Sequence, residues 1–326
     1  MKIAIPMKWF NKNKDGKGVY EVESRKPTLG FFFKLFFRKF SQLLQLNLFM
    51  LLMVIPILVV GAIFLLGEKT STATELIYAP LYGINQVVPS PDTSALLDLS
   101  SIQMNLPVFS PTVNIIILIL GIVMALTWGW QNVGATYVLR GLFRGDAVFV
   151  FSDYFYGIKR NLKQGFFLGL IDFIISAILI YDFVYFYNLT GSFTLDLMYF
   201  TTFALLLIYI VMRFYIYTML VTFDLKIFKI IKNALIFSVL GIKRNIMAML
   251  GIILLIGIHI LLIFLFIPYG ISIPLVLPFV YILAALGFMT MYAAYPVIEK
   301  YMITPYEQTS SEGEEATFEF EDGAQE

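Results

Sequence analysis

Four ionisable side chains stand inside long apolar runs: Asp172, Asp182, Arg213 and the single histidine, His259. They are the residues with which this chain could do chemistry. Charge is costly in hydrocarbon, so each demands a partner or water. Asp172 and Arg213 lie in consecutive runs joined by a short turn. At ~1.5 Å per helical residue they stand about 10 Å and about 13 Å in from the same side, so they can pair at one level. Gln131 and Asn132, beside Trp128 and Trp130, reach that level from the preceding run, and Asn47 is shallower. We expect a polar layer of Asp172, Arg213, Gln131 and Asn132 built around an Asp172–Arg213 pair. Two readings of it stay open: a substrate or ion site, or a buried pair that fixes how helical hairpins dock. Asp182 sits near the end of its run, where it reaches water. His259 is expected to hydrogen-bond a neighbour and not to act in catalysis.

The remaining inventory is poor in reactive groups. The absence of cysteine removes disulfides, thiolate metal sites and a cysteine nucleophile. One histidine leaves little for metal or acid–base chemistry. There is no phosphate-binding glycine loop, zinc-ligand spacing or nucleophile elbow. Gly145-Asp146 and Ser152-Asp153 read as turn and capping pairs. The expectation is a non-enzyme without cofactor or metal. Nucleic-acid binding has no support, because the basic residues track the edges of the apolar runs.

Such residues need a scaffold, and composition names it. The chain is 59% hydrophobic and 14% charged, where a soluble domain has roughly 45–50% and about 25%. Six runs are long enough for a bilayer, which needs about 20 apolar residues of helix. They cover 44–66, 113–137, 166–187, 199–221, 246–267 and 271–297. Barrel strands would be shorter and would alternate. The fold class is therefore all-α, a polytopic transmembrane bundle of three hairpins with the bilayer as partner. Lys and Arg number ten before residue 44, one in 67–112, five in 138–165, none in 188–198, five in 222–245 and none in 268–270. By the positive-inside rule both termini are cytoplasmic and the 67–112 loop faces outward.

Each odd-numbered span follows a basic, aromatic-rich segment: Phe36-Phe37-Arg38-Lys39-Phe40, then Gly157-Ile158-Lys159-Arg160-Asn161, then Gly241-Ile242-Lys243-Arg244-Asn245. The last two share five residue types 84 positions apart, either an internal repeat or convergence on the needs of a membrane edge. Thr28–Phe40 and Asp224–Leu240 read as interfacial helices, the second with Asp224 or Thr222 as N-cap. Their apolar faces meet either lipid or the protein's own spans. Residues 1–43 form a basic segment. The 67–112 loop holds five prolines, and the 298–326 tail is acidic, with eight acids and no base from Tyr306 on.

The stretch Gly134-Ala135-Thr136-Tyr137-Val138-Leu139-Arg140, with Arg144-Gly145-Asp146, Phe151-Ser152-Asp153-Tyr154 and Lys159-Arg160-Asn161-Leu162-Lys163-Gln164, resembles the YesL-like family of bacterial membrane proteins. The resemblance covers most of 30–250 and is weak in the last hairpin. The chain departs from the family in its long loop between the first two spans. The resemblance implies a multi-pass protein of a bacterial cytoplasmic membrane, encoded near carbohydrate-uptake functions, with no defined activity. It favours an accessory or scaffold protein beside sugar-transporter subunits or another membrane complex. The polar layer instead favours a small-solute transporter, and the basic helices with the acidic tail a membrane-surface sensor.

Overall fold

The structure is a computed structural model that describes residues 27–66, 69–71, 87, 91, 105–107, 109–189 and 192–305. The expectations for the segment before residue 27, the tail from residue 306 and most of the 67–112 loop lie outside them. Helices dominate: α1 (Leu29–Arg38), α2 (Phe40–Leu66), α3 (Pro111–Arg144), α4 (Val150–Arg160), α5 (Leu162–Asn188), α6 (Phe193–Thr222), α7 (Ile227–Leu240), α8 (Ile242–Phe266) and α9 (Ile273–Ile298). A short antiparallel ribbon, Lys69–Ser71 on Asn105–Pro107, closes the base of the loop between α2 and α3.

Six of these helices (α2, α3, α5, α6, α8 and α9) are long and apolar enough to cross a membrane. The protein is a multi-pass membrane bundle. The six expected spans fall one to each, with α3 running on to Arg144 and α9 starting at Ile273 instead of 271. Local signals explain several ends. Ser110 caps α3 with Pro111 in its first turn, and Gly145, at φ 78°, ends it in the left-handed conformation that glycine takes without strain. Ser192 caps α6, its hydroxyl accepting from Leu195 N–H at 3.4 Å.

A three-part plan organises the chain. Each unit is a short amphipathic helix, one non-helical residue, an outgoing span and a returning span: α1–α2–α3, α4–α5–α6 and α7–α8–α9. The joint residues have nearly the same backbone: Lys39 at φ −98°, ψ 9°, Asn161 at −115°, 26°, and Gly241 at −88°, 11°. All lie in the sparsely used bridge region. Each joint N–H still bonds the carbonyl four residues back, on Leu35, Gly157 and Phe237, so the chain turns without orphaning its donor. The shared Gly-Ile-Lys-Arg-Asn motif does not follow this plan. In the second unit it ends at the joint, Asn161; in the third it begins at the joint, Gly241. Its two copies are not structurally equivalent.

The returning spans α3, α6 and α9 pack on one another and form an inner triad. Around it α2 lies against α3 and α9, α5 against α3 and α6, and α8 chiefly against α9. The three short helices gather at one end as a collar, and the core sits in that half. Buried side chains run from Gly129 to Leu142 on α3, from Tyr209 to Val221 on α6 and from Ala284 to Ile298 on α9.

Both segments expected as interfacial helices are helical, with changes. Thr28 caps α1. Its broad phenylalanine face is divided: Phe32 is buried and Phe36 half-buried against Phe288, while Phe33 and Phe37 point outward. Helix α7 starts at Ile227 after Lys226, which makes no side-chain cap. Neither Asp224 nor Thr222 is the N-cap. Thr222 still belongs to α6, and its hydroxyl donates back to the Thr218 carbonyl at 2.6 Å. The collar helix α4 was not anticipated. Its first turn is held by Asp153, whose carboxylate accepts from Phe149 N–H at 2.8 Å.

Candidate functional site

Asp172 is where the bundle concentrates its polarity, and glycine makes the place possible. On α5, Gly165 and Gly169 are one turn apart and meet Gly129 of α3. A Cβ on Gly129 would lie 2.7 Å from Gly169 Cα, closer than real side chains come. Such small-residue crossings let membrane helices touch backbone to backbone. The crossing sets Trp128 beside Asp172, and the Trp128 indole Nε1–H donates to Asp172 Oδ2 at 2.7 Å.

The other donors come from α6. Tyr209, Arg213 and Tyr217 recur every fourth residue and so share one helix face. The Tyr209 hydroxyl donates to Asp172 Oδ1 at 2.7 Å, and the Tyr217 hydroxyl to Oδ2 at 2.7 Å. Arg213 Nε stands 3.0 Å from Oδ1, an ion pair without the alignment of a hydrogen bond. The guanidinium also lies over the Trp128 ring, 5.2 Å from its centroid. Asp172 is 1% exposed and the Arg213 side chain 29%. A carboxylate offers about four acceptor positions; here three receive hydrogen bonds, two on Oδ2 and one on Oδ1, and the Arg213 guanidinium adds an ion pair at Oδ1. Burying a carboxylate is tolerable only with such compensation.

The structure thus brings Asp172 and Arg213 together, and leaves Gln131 and Asn132 out of the pair. Gln131 Nε2 donates to Thr127 Oγ1 at 3.2 Å on its own helix, and Asn132 Nδ2 to the Trp128 carbonyl at 2.8 Å, with Met53 Sδ at 3.6 Å. The reason is angular. Gly129 and Val133 occupy the α3 face that meets α5, so Asn132 turns toward α2. Tyr209 and Tyr217 were missed; their spacing of four on either side of Arg213 was the available signal.

Two further polar residues dock outgoing spans on the bundle. Asn47 of α2 is fully buried. Its amide donates to the Phe279 carbonyl at 2.6 Å and accepts from Ala284 N–H at 3.0 Å. It is thereby inserted into the α9 backbone ladder. Asn245 of α8 accepts from the Tyr215 hydroxyl at 2.7 Å and donates to the Ser238 carbonyl at 3.0 Å. Asn47, Asp172 and Asn245 belong one to each unit, and each is at most 2% exposed. His259 lies between the Leu255 carbonyl and the Tyr281 hydroxyl, each 3.2 Å away, tying α8 to α9. Asp182 is half-buried.

Chemically, the Asp172 cluster consists of one carboxylate engaged by three hydrogen-bond donors and one guanidinium. Among the described residues, no group of three or more His, Asp or Glu side chains is placed to hold a metal ion. Comparison with known proteins finds no matching family model, no matching curated protein and no matching solved structure.

Proposed function

We propose that this chain is a non-enzymatic accessory or scaffold protein of the YesL-like kind in a bacterial cytoplasmic membrane, working beside a carbohydrate-uptake system. The collar and both termini are cytoplasmic in this reading, which the alternation of Lys and Arg along the loops supports. The observation that carries it is the engagement of Asp172. A buried carboxylate that takes three hydrogen bonds and an ion pair from two neighbouring helices is arranged to hold those helices. Asn47 and Asn245 repeat the device in the other two units. Buried intramembrane side chains spent on docking helices suit a protein that works through the surfaces it presents to partners.

The test is purification of the tagged protein from its native host in mild detergent, with mass spectrometry of what accompanies it. Stoichiometric transporter or polysaccharide-handling subunits are the expected result. A clean, partnerless protein counts against the proposal. One observation favours a second reading, a small-solute transporter: the Arg213 side chain keeps 29% of its surface exposed. Under that reading Asp172→Asn abolishes solute uptake while the protein remains inserted and folded.

A further inference from the structure

Helix α7 buries Ile230, Ala234, Phe237 and Ser238 against the bundle and turns its opposite face outward. That outward face is graded along its length. Its first half presents Lys226, Lys229 and Lys232, all exposed and within an arc of about 120° at 100° per residue. Its second half presents Leu235 (48% exposed), Ile236 (44%), Val239 (64%) and Leu240 (49%). The apolar half runs through the Gly241 joint into the outer surface of α8, where Ile242, Ile246, Met247 and Leu250 are exposed as well. One continuous apolar surface therefore passes from a membrane span onto the second half of α7, and among the lysines of the first half Phe228, 77% exposed, adds a single apolar side chain. Helix α7 itself carries no acid, and the nearest in sequence is Asp224, just before its start.

We propose that α7 is a binding helix for anionic phospholipid headgroups. Lys226, Lys229 and Lys232 contact the phosphodiester and its charged neighbours, and Leu235, Ile236, Val239 and Leu240 enter the acyl boundary of the same leaflet. Continuity with the lipid-facing span names the occupant, because whatever bathes α8 also bathes the second half of α7. Charge complementarity selects the lipid. A lysine near an anionic membrane surface contributes attraction equivalent to about a fivefold change in partitioning, and three act together here. Helix α4 repeats the chemistry: Lys159, Arg160 and Lys163 are exposed at its joint, with Phe151 and Tyr156 outward.

The experiment reconstitutes the full chain in phosphatidylcholine vesicles carrying a trace of spin-labelled phosphatidylglycerol or spin-labelled phosphatidylcholine. It reads the motionally restricted fraction of each label. The expected result is at least about a twofold excess of restricted phosphatidylglycerol at low salt, falling as salt is raised. Lys226→Gln/Lys229→Gln/Lys232→Gln removes most of the excess, and the corresponding Arg variant keeps it. Equal restriction of the two labels overturns the proposal, as does an unchanged excess in the Gln variant or loss in the Arg variant. A wild-type excess indifferent to salt, or one abolished by millimolar inorganic phosphate, overturns it too, the latter in favour of a soluble anion.

Discussion

Gly129 of α3 and Gly169 of α5 meet with no side chain between them, and the Trp128–Asp172 hydrogen bond exists only because they do. Alanine at either position must push α3 and α5 apart, since the atoms in the way are backbone. Gly169→Ala is expected to cost about 1–3 kcal/mol or more. It should lower the thermal unfolding midpoint in detergent and change the Trp128 emission, read as the difference between each spectrum and that of its Trp128→Phe counterpart. Gly61→Ala, where a Cβ meets nothing within 4 Å, is the control and should leave both unchanged.

Removing one member of the Asp172–Arg213 pair leaves the other buried or half-buried without its partner. Asp172→Leu is expected to destabilise by about 3–5 kcal/mol, while the double change Asp172→Leu/Arg213→Leu recovers much of the loss. A double-mutant cycle by thermal or denaturant unfolding measures this. Additive single effects would sink the idea that the pair is coupled.

Asn47 satisfies a carbonyl and an N–H of α9 at once. Asn47→Leu keeps much of the volume and abandons both groups, at an expected cost of about 1–3 kcal/mol for each buried group left unpaired. Amide exchange at Ala284 should accelerate in the variant, while exchange at Val221, on a different inner helix, does not.

Tyr154, on the collar helix α4, is packed against Gly134 and Phe49. Burial pushes its hydroxyl up to about 12 from the ordinary 10.0. The unfolded chain therefore loses this proton first, so stability is flat below pH 10 and falls as pH rises from 10 toward 12. Tyr154→Phe should remove that part of the slope, read as the difference between the two proteins' unfolding midpoints at pH 9 and pH 11.

The sequence reading reached the spans and the Asp172–Arg213 pair because both are written in cost. A charge in an apolar run must be answered, and few residues could answer it. It did not reach Tyr209 and Tyr217, because the chain has 19 tyrosines and residue type alone does not set these two apart. Only their register with Arg213 distinguishes them. Gln131 and Asn132 were placed at the right depth but on the wrong side of α3, because depth follows from counting residues and azimuth depends on which neighbour a helix chooses. Of the two readings of the repeated Gly-Ile-Lys-Arg-Asn motif, the non-equivalent placement of its copies favours convergence. Where a helix breaks depends on tertiary packing around Asn161 and Gly241, and five matching letters do not contain it.

The inner triad has a consequence for biogenesis. Its members are the second span of each unit, and the last of them, α9, supplies both groups that satisfy Asn47 on the first span. A nascent chain that has delivered α2 through α8 to the membrane holds an unanswered amide on α2 and an inner pair short of its third member. Closure waits for translation to pass α9. Until then α2 needs an insertase or a membrane chaperone beside it, and premature termination before Ile273 should yield a product that membrane proteases clear.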